Sequence, residues 1–146
     1  MIPCGRQGRG IPRRTLAPVL HHLTLWVPDL ERAAESWSWL LNELGYALDT
    51  SVDRVMVFRD ERGIAIVLEQ SADMVPGMLH SRLRPGLNHV AFSLPTKVEL
   101  VALVAGARDH GWSPLPGDRH PIAGGAEVAY LEDRDGFEVE LVAPRV

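Results

Sequence analysis

The sequence predicts an α+β fold in which two tandem βαβββ modules form a cupped mixed sheet around a cleft. Two observations support this prediction. A strand-like segment that opens with histidine and leads into a helix closed by glycine occurs twice, at residues 22–45 and 89–111. In addition, the turn glycines late in each half, Gly63 and Gly136, are 73 residues apart. The chain is therefore interpreted as one structural unit written twice.

Composition limits the class of protein. The 146 residues are 46% hydrophobic and 23% charged, which is typical of a single soluble domain with a buried core. The first 18 residues carry four arginines and no acid, so they hold +4 and leave −8 on the remainder. We expect residues 1–18 to be a flexible basic tail and residues 19–146 to be one domain. The acidic domain argues against nucleic acid as a partner.

Two further features concern the compartment. No apolar run approaches the roughly 20 residues that a bilayer-spanning helix requires, so we expect no membrane partner. The single cysteine, Cys4, has no partner for an internal disulfide. We therefore expect a cytoplasmic protein. Lys97 is the only lysine, and the excess of arginine is typical of a GC-rich bacterial genome.

The first module is predicted at residues 19–70. Residues 22–27 alternate between apolar and polar positions, which predicts a half-buried strand. Asp29 is a good N-cap, and the apolar residues after it recur at every third or fourth position until Gly45, which predicts a helix. Short strands are predicted at residues 46–51, 54–59 and 64–69.

The second module is predicted at residues 87–146, after a connector at residues 71–86 that is rich in proline and glycine. Its first strand starts at His89. Thr96 and Glu99 form the capping box of a helix that is expected to end at Gly111. The remaining strands are predicted at residues 127–131 and 137–142, joined by a turn at residues 133–136.

Three side chains are candidates for a metal site. His22 and His89 each open a first strand, on the face opposite the large aliphatic residues, and Glu140 alternates with apolar neighbours on the last strand. If a pseudo-twofold axis relates the modules, the two imidazoles converge in the cleft. Two imidazoles and one carboxylate bind divalent first-row metals with coordination positions left open. The alternative is that both histidines are ordinary structural residues, and their symmetric placement favours the metal site.

The chain resembles the vicinal oxygen chelate superfamily over about residues 19–144. The superfamily includes glyoxalases, bleomycin-resistance proteins, fosfomycin-resistance enzymes, methylmalonyl-CoA epimerases and extradiol dioxygenases. The resemblance implies that His22, His89 and Glu140 are metal ligands, and that the cofactor is a divalent ion of iron, manganese, zinc or nickel. The matching segments are His22-Leu-Thr-Leu-Trp-Val-Pro-Asp-Leu30, Leu-Gly-Tyr46, Asn88-His-Val-Ala-Phe92 and Leu131-Glu-Asp-Arg-Asp-Gly-Phe-Glu-Val-Glu-Leu141.

The resemblance leaves the number of ligands open. Members of the glyoxalase type have a fourth ligand on the last strand of the first half. Counted from Gly63 as Glu140 is counted from Gly136, that position is Val67. Glu69 lies two residues further on the same face and would serve only after a shift of register. A site with three protein ligands is therefore favoured.

The second half also resembles extradiol dioxygenases, in which a histidine and a tyrosine precede the ligand glutamate. Tyr130 lies ten residues before Glu140, at the spacing of that family, whereas His120 lies one residue further from Tyr130 than expected. The resemblance implies that His120 and Tyr130 are catalytic and orient or protonate substrate oxygens. The alternative is that His120 belongs to a surface loop and Tyr130 merely lines the cleft.

The expected function is that of a metalloenzyme that binds a small-molecule substrate through two adjacent oxygens. Isomerase, lyase and ring-cleavage dioxygenase chemistry all fit, because fold does not fix function. The alternative is a bleomycin-resistance-like protein that binds a drug without catalysis. A homodimer is expected, because paired modules of this superfamily commonly meet between chains, and the cleft forms either within one chain or between two. His80 and His110 are expected to be solvated surface residues.

Overall fold

The computed structural model describes residues 19–116 and 126–145. The predicted tail and the candidate catalytic residue His120 lie outside these ranges. No helix in the described ranges is long and apolar enough to cross a membrane.

The first described sheet has four strands in the order β1-β4-β3-β2. β1 runs parallel to β4, and the other neighbours are antiparallel. One helix, α1, connects β1 to β2. The bounds are β1 His22–Trp26, α1 Leu30–Glu43, β2 Ala47–Val52, β3 Val55–Arg59 and β4 Ala65–Glu69.

Helix α1 begins and ends at the predicted signals. The Asp29 side chain accepts a hydrogen bond from the amide of Arg32 at 2.9 Å, which caps the first turn. Gly45 follows the last turn with φ +83, a conformation that favours glycine. The buried face of the helix consists of Ala33, Ser36, Trp37, Leu40 and Leu41.

The second described sheet repeats this topology in the order β5-β8-β7-β6. β5 is parallel to β8, and the remaining pairs are antiparallel. A helix, α2, and a 3-10 turn at Ala107–His110 connect β5 to β6. The bounds are β5 His89–Ser93, α2 Lys97–Gly106, β6 Ser113–Leu115, β7 Glu127–Glu132 and β8 Glu138–Ala143.

Two details of the second module differ from the sequence prediction. Helix α2 ends at Gly106, and the 3-10 turn carries the chain to Gly111, where φ is +79. The strand β6 had no signal in the sequence, because it has three residues with Pro114 at its centre. With β6 in place, the second half contains the strand that a complete βαβββ module requires.

The two modules share one hydrophobic core. The sheet faces opposite His22 and His89 pack together with both helices, so that Leu25, Phe58 and Leu68 of the first sheet belong to the same cluster as Val139 and Leu141 of the second. The predicted α+β class with two modules is confirmed. The histidine faces are the sides of the sheets that this core does not use.

Polar contacts between the modules reinforce the shared core. The indole of Trp37 on α1 donates to Asp133 in the β7–β8 turn at 2.9 Å. The indole of Trp112 donates to the carbonyl of Ser36 on α1, also at 2.9 Å. The two indole rings meet edge to face with centroids 5.1 Å apart. These buried contacts fix the first helix against the second hairpin.

Candidate metal centre

The second sheet brings three of the predicted residues together. His89 lies at the start of β5, and its Nε2 is 3.0 Å from Oε2 of Glu140 on the neighbouring strand β8. Tyr130 lies directly opposite Glu140 on β7, and its hydroxyl donates to Oε1 of Glu140 at 3.1 Å. Glu140 is 8% exposed and Tyr130 is 1% exposed. The carboxylate therefore sits between an imidazole and a phenol in a largely buried position.

The other ring nitrogen of His89 also faces an acceptor. Nδ1 lies 2.8 Å from Oδ1 of Asn88. The amide nitrogen of Asn88 donates to the carbonyl of Arg82 at 3.0 Å, which leaves the amide oxygen directed at the imidazole. A neutral imidazole has one N–H, whereas acceptors here face both nitrogens. If Nδ1 donates to Asn88, Nε2 carries its lone pair on the side of Glu140, which suits a metal ligand.

The spacing of this pair also fits a metal ion. Ligands bound at about 2.1 Å and at right angles to each other are separated by about 3.0 Å. The Nε2 to Oε2 distance of 3.0 Å has this value. A neutral imidazole whose second nitrogen donates to a fixed acceptor is also the usual form of a metal-bound histidine. His89 and Glu140 therefore have the donor chemistry and the separation of two adjacent ligands.

Tyr130 is held in its protonated form. Burial, the hydrogen bond to Glu140 and the negative charges of Glu140 and Glu138 together raise the pKa of Tyr130 to about 12. At neutral pH its hydroxyl is consequently a donor. In this geometry the donated hydrogen bond steadies the carboxylate of Glu140.

Two charged residues of this face were not found from the sequence. Glu138 is 1% exposed and precedes Glu140 by two positions, so both point to the same side of β8. Nε of Arg82, from the connector, lies 2.9 Å from Glu138 and 3.6 Å from Glu132. The spacing of two from Glu140 would have revealed Glu138. No periodic pattern points to Arg82, because it lies in an irregular segment.

His22 takes the equivalent position on the first sheet. It is exposed, and its Nδ1 lies 2.8 Å from Nδ1 of His21. In the described ranges no three His, Cys, Asp or Glu side chains gather into a group that could hold a metal ion. The convergence of His22 with His89 and Glu140 is thus not found within one chain. The three-ligand assignment itself stays a prediction.

Glu69 lies away from the position that a fourth ligand would need. The register of β1 and β4 places Ala65 beside His22, Val67 beside Thr24 and Glu69 beside Trp26. The Trp26 indole donates to Glu69 at 3.0 Å. Val67 is thereby the structural equivalent of Glu140, as the count from the turn glycines indicates. The register offers no support for Glu69 as a ligand.

The expectation for His80 is wrong. Its ring stacks on Phe137 at 4.1 Å, and its Nε2 is buried with no hydrogen-bond partner among residues 19–116 and 126–145. Burial lowers the pKa of His80, and the nearby charge of Glu132 opposes this only in part. His110 is exposed, as expected, with its ring stacked on Trp39. Stacking on Phe137 explains why the ring of His80 is only partly accessible to solvent.

The class of protein follows from comparison with known families. The sequence model of the glyoxalase/bleomycin resistance protein/dioxygenase superfamily matches residues 21–130. The chain belongs to this superfamily.

Two individual proteins are similar to this chain over most of its length. The uncharacterized protein YqjT of Bacillus subtilis (strain 168) is 34% identical over 127 residues, which cover 86% of this chain and 98% of that protein. The catechol-2,3-dioxygenase of the same organism is 30% identical over 122 residues, or 83% of this chain. The match spans only 40% of that dioxygenase.

Solved structures agree with the fold. A glyoxalase-like protein from Bacillus halodurans superimposes with a TM-score of 0.77 at 33% identity, covering 88% of this chain and 97% of the other. The fosfomycin resistance protein FosX from Listeria monocytogenes was solved with Mn(II) and 1S,2S-dihydroxypropylphosphonic acid. It superimposes with a TM-score of 0.62 at 20% identity, covering 90% of this chain and 94% of the FosX chain. At that identity the likeness to FosX concerns the fold alone.

Proposed function

We propose that the protein is a metalloenzyme in which His89, Glu140 and His22 hold a divalent ion of iron, manganese, zinc or nickel. Its substrate is a small molecule that presents two adjacent oxygens, and the reaction belongs to the isomerase, lyase or ring-cleavage dioxygenase classes. The observation that carries the proposal is the imidazole of His89, flanked by acceptors on both nitrogens, with 3.0 Å between Nε2 and Glu140. The similarity to a catechol-2,3-dioxygenase supports it.

The chain's own residues prepare the site for such chemistry. A bound divalent ion would polarise the substrate oxygens and stabilise negative charge that develops on them. Glu140 and His89 supply one carboxylate oxygen and one imidazole nitrogen, from side chains that are 11% and 26% exposed. Tyr130, protonated at neutral pH, holds the second oxygen of Glu140 and carries a proton next to the site. His120 remains a proposed catalytic residue on the resemblance alone.

The proposed active form is a homodimer whose metal site is shared between copies. One chain supplies His89 and Glu140, and the second copy supplies His22. The support is that the three residues do not gather within one described chain, while both histidine faces lie away from the shared core. All six residues of the edge strand β2 are exposed, which leaves the first sheet open to a partner.

An intermolecular complementation experiment tests both parts of the proposal. His22→Ala and Glu140→Ala chains are co-expressed with different peptide tags that do not bind metal, and the mixed dimer is isolated through both tags in sequence. Each parent dimer has lost one ligand from both sites. The mixed dimer retains one site with all its ligands, so we expect about one tightly bound ion per mixed dimer, two per wild-type dimer and none for either parent. Elemental analysis after gel filtration gives these ratios.

The outcomes separate the two parts. A mixed dimer without metal, beside a wild type that binds it, would contradict the shared site and retain the metalloenzyme. A monomeric mass in light scattering would contradict the dimer. Wild type that takes up none of the four metals would overturn the metal site itself.

One observation favours the alternative of a drug-binding protein. The open face of the first sheet is apolar at Val55, Val57 and Val67, and the indole of Trp26 beside them is 47% exposed. Such a wall suits an apolar or aromatic ligand whether or not a metal is present. Ligand binding by a wild type that takes up no metal would establish this alternative.

A further inference from the structure

We infer that Asn88 is the positioning residue that fixes the orientation of the His89 ring, so that Nε2 faces Glu140 and Nδ1 faces away from the site. The inference rests on the proposed function insofar as it treats Nε2 as the metal ligand. The hydrogen bonds behind it exist in the chain without a metal, and one arm of the test uses the metal-free protein.

Both ends of the Asn88 amide are engaged, which determines its orientation. Its nitrogen donates to the carbonyl of Arg82 at 3.0 Å, which directs its oxygen at Nδ1 of His89, 2.8 Å away, as the acceptor for an Nδ1 proton. Rotating the amide by half a turn would place its oxygen against the carbonyl oxygen of Arg82, where neither group can donate. Rotating the imidazole by half a turn would replace both of its nitrogens with carbons and lose both contacts. Asn88 therefore selects one ring orientation of His89.

The support for Asn88 reaches into the buried part of the second sheet. The carbonyl that holds its amide belongs to Arg82, and the guanidinium of that residue lies 2.9 Å from the buried carboxylate of Glu138. Two residues earlier in the connector, His80 stacks on Phe137 at 4.1 Å. The connector is thereby attached to the β7–β8 hairpin at two points. The position of the Arg82 carbonyl follows from these attachments rather than from the strand that carries His89.

Among the described residues of the first module, none holds the His22 ring as Asn88 holds the His89 ring. The residue before His22 is His21, and the contact between them joins two imidazole Nδ1 atoms at 2.8 Å. Either ring can act as donor in that pair, so the contact does not fix which nitrogen of His22 carries the proton. Both rings are exposed. The structure thus orders the imidazole that stands beside Glu140 and leaves its counterpart adjustable.

The first arm of the test measures the hydrogen bond in metal-free protein. We expect nitrogen-15 NMR of the metal-free wild type to show a slowly exchanging Nδ1 proton on His89. Asn88→Asp keeps an acceptor at this place and should retain the signal. Asn88→Ala removes the acceptor and should lose it to exchange with water. The matched control is Asn42→Ala, which changes an exposed asparagine on α1 and should leave the signal unchanged.

The second arm measures zinc affinity by competition with a chromogenic chelator. Loss of a partner that orients a metal-bound histidine typically lowers affinity about 10-fold to 100-fold, and we expect this for Asn88→Ala. Asn88→Asp should recover most of the lost affinity, while Asn42→Ala should equal wild type. A purely structural role for Asn88 would lower thermal stability in both substitutions and would not produce this recovery.

The two arms distinguish failure of this inference from failure of the proposed function. Absence of a protected Nδ1 proton in wild type, or its persistence in Asn88→Ala, would overturn the positioning role. Zinc affinity equal in Asn88→Ala and wild type would overturn it too. A wild type that binds no zinc would instead contradict the metalloenzyme, and the proton signal would then decide the role of Asn88 by itself.

Discussion

The two sheets share a topology and register but differ in the chemistry of their open faces. Around His89 the second sheet places acids and a tyrosine, and the connector adds an arginine paired with one of the acids. Around His22 the equivalent positions on β4 and β3 are apolar except for one arginine. The two modules therefore share the backbone arrangement and the position of the histidine, but the side chains around the two histidines differ. The pairs of equivalent positions are Ala65 with Glu138, Val67 with Glu140, Val57 with Tyr130 and Arg59 with Glu132.

The hairpin turns offer a second comparison, because an aspartate organises each. Asp60 accepts from the amides of Arg62 and Ile64 through Oδ1, and Asp133 accepts from the equivalent amides in its own turn through Oδ1. The second oxygen distinguishes them. In Asp60 it receives the exposed guanidinium of Arg62, whereas in Asp133 it receives the buried indole of Trp37. The same turn is therefore a surface element in one module and part of the core in the other.

Removal of the carboxylate from the second sheet should give the largest effect. Glu140→Ala deletes a proposed metal ligand, and we expect metal affinity to fall by more than about 100-fold. This is more than the loss typical of removing a residue that only hydrogen-bonds to a ligand. Val67→Ala shortens the equivalent side chain of the first sheet and should leave affinity unchanged. Competition titrations of both variants measure the contrast. Equal losses in the two variants would contradict the assignment of the metal centre to the second sheet.

Truncation of the turn aspartates should give the next largest effect. Asp133→Ala leaves the buried Trp37 indole and two turn amides without their acceptor, which should lower the free energy of unfolding by about 3 kcal/mol. Asp60→Ala also leaves two turn amides without their acceptor, but the third donor that it loses is the exposed guanidinium of Arg62, so it should cost less. Urea denaturation of the metal-free proteins tests this comparison. A larger loss in Asp60→Ala would show that the turns do not differ in the way their partners suggest.

The smallest effect is a difference in pH dependence. Burial raises the pKa of Asp133 and outweighs its hydrogen bonds, so its ionised form is disfavoured in the folded state. For Asp60, burial also raises the pKa, but hydrogen bonds from Ile64 and Arg62 and the charge of Arg62 outweigh it and the net pKa is lowered. An aspartate in an unfolded chain has a pKa of about 4.

The signs of the two contributions are therefore opposite. As pH falls from 7 through the raised pKa of Asp133 to about 4, wild type should gain stability relative to Asp133→Asn. As pH falls below about 4, through the lowered pKa of Asp60, wild type should lose stability relative to Asp60→Asn. Urea midpoints across pH give both differences. Parallel curves for the two variants would contradict the opposite shifts.

Local patterns predicted most of the fold. Asp29 and Gly45 limit α1, and Thr96 caps α2 through the amide of Val98, because caps depend on neighbouring residues alone. The strand β6 escaped prediction, since its register comes from pairing with β7 rather than from any alternation in Ser113–Leu115. The sequence thus reports what is determined locally and omits what a partner strand imposes.

The residues of the candidate site also divide into those that local sequence patterns predicted and those that depend on the tertiary structure. His89, Glu140 and Tyr130 came together as the strand parity and the resemblance indicate. The place of His22 depends on how two sheets pack through a shared core, and strand parity carries no information about that. Arg82 reaches Glu138 from an irregular segment, so its role became visible only with the connector in place.

The bond between Trp37 and Asp133 has a consequence for how the chain folds. The first helix completes its polar contacts only when the last hairpin is present, and that hairpin closes over an indole supplied from nearly 100 residues earlier. We therefore expect that neither half folds by itself and that the chain unfolds in one cooperative transition. On that expectation, the repeated module describes the architecture of the protein and does not divide it into two independently stable units.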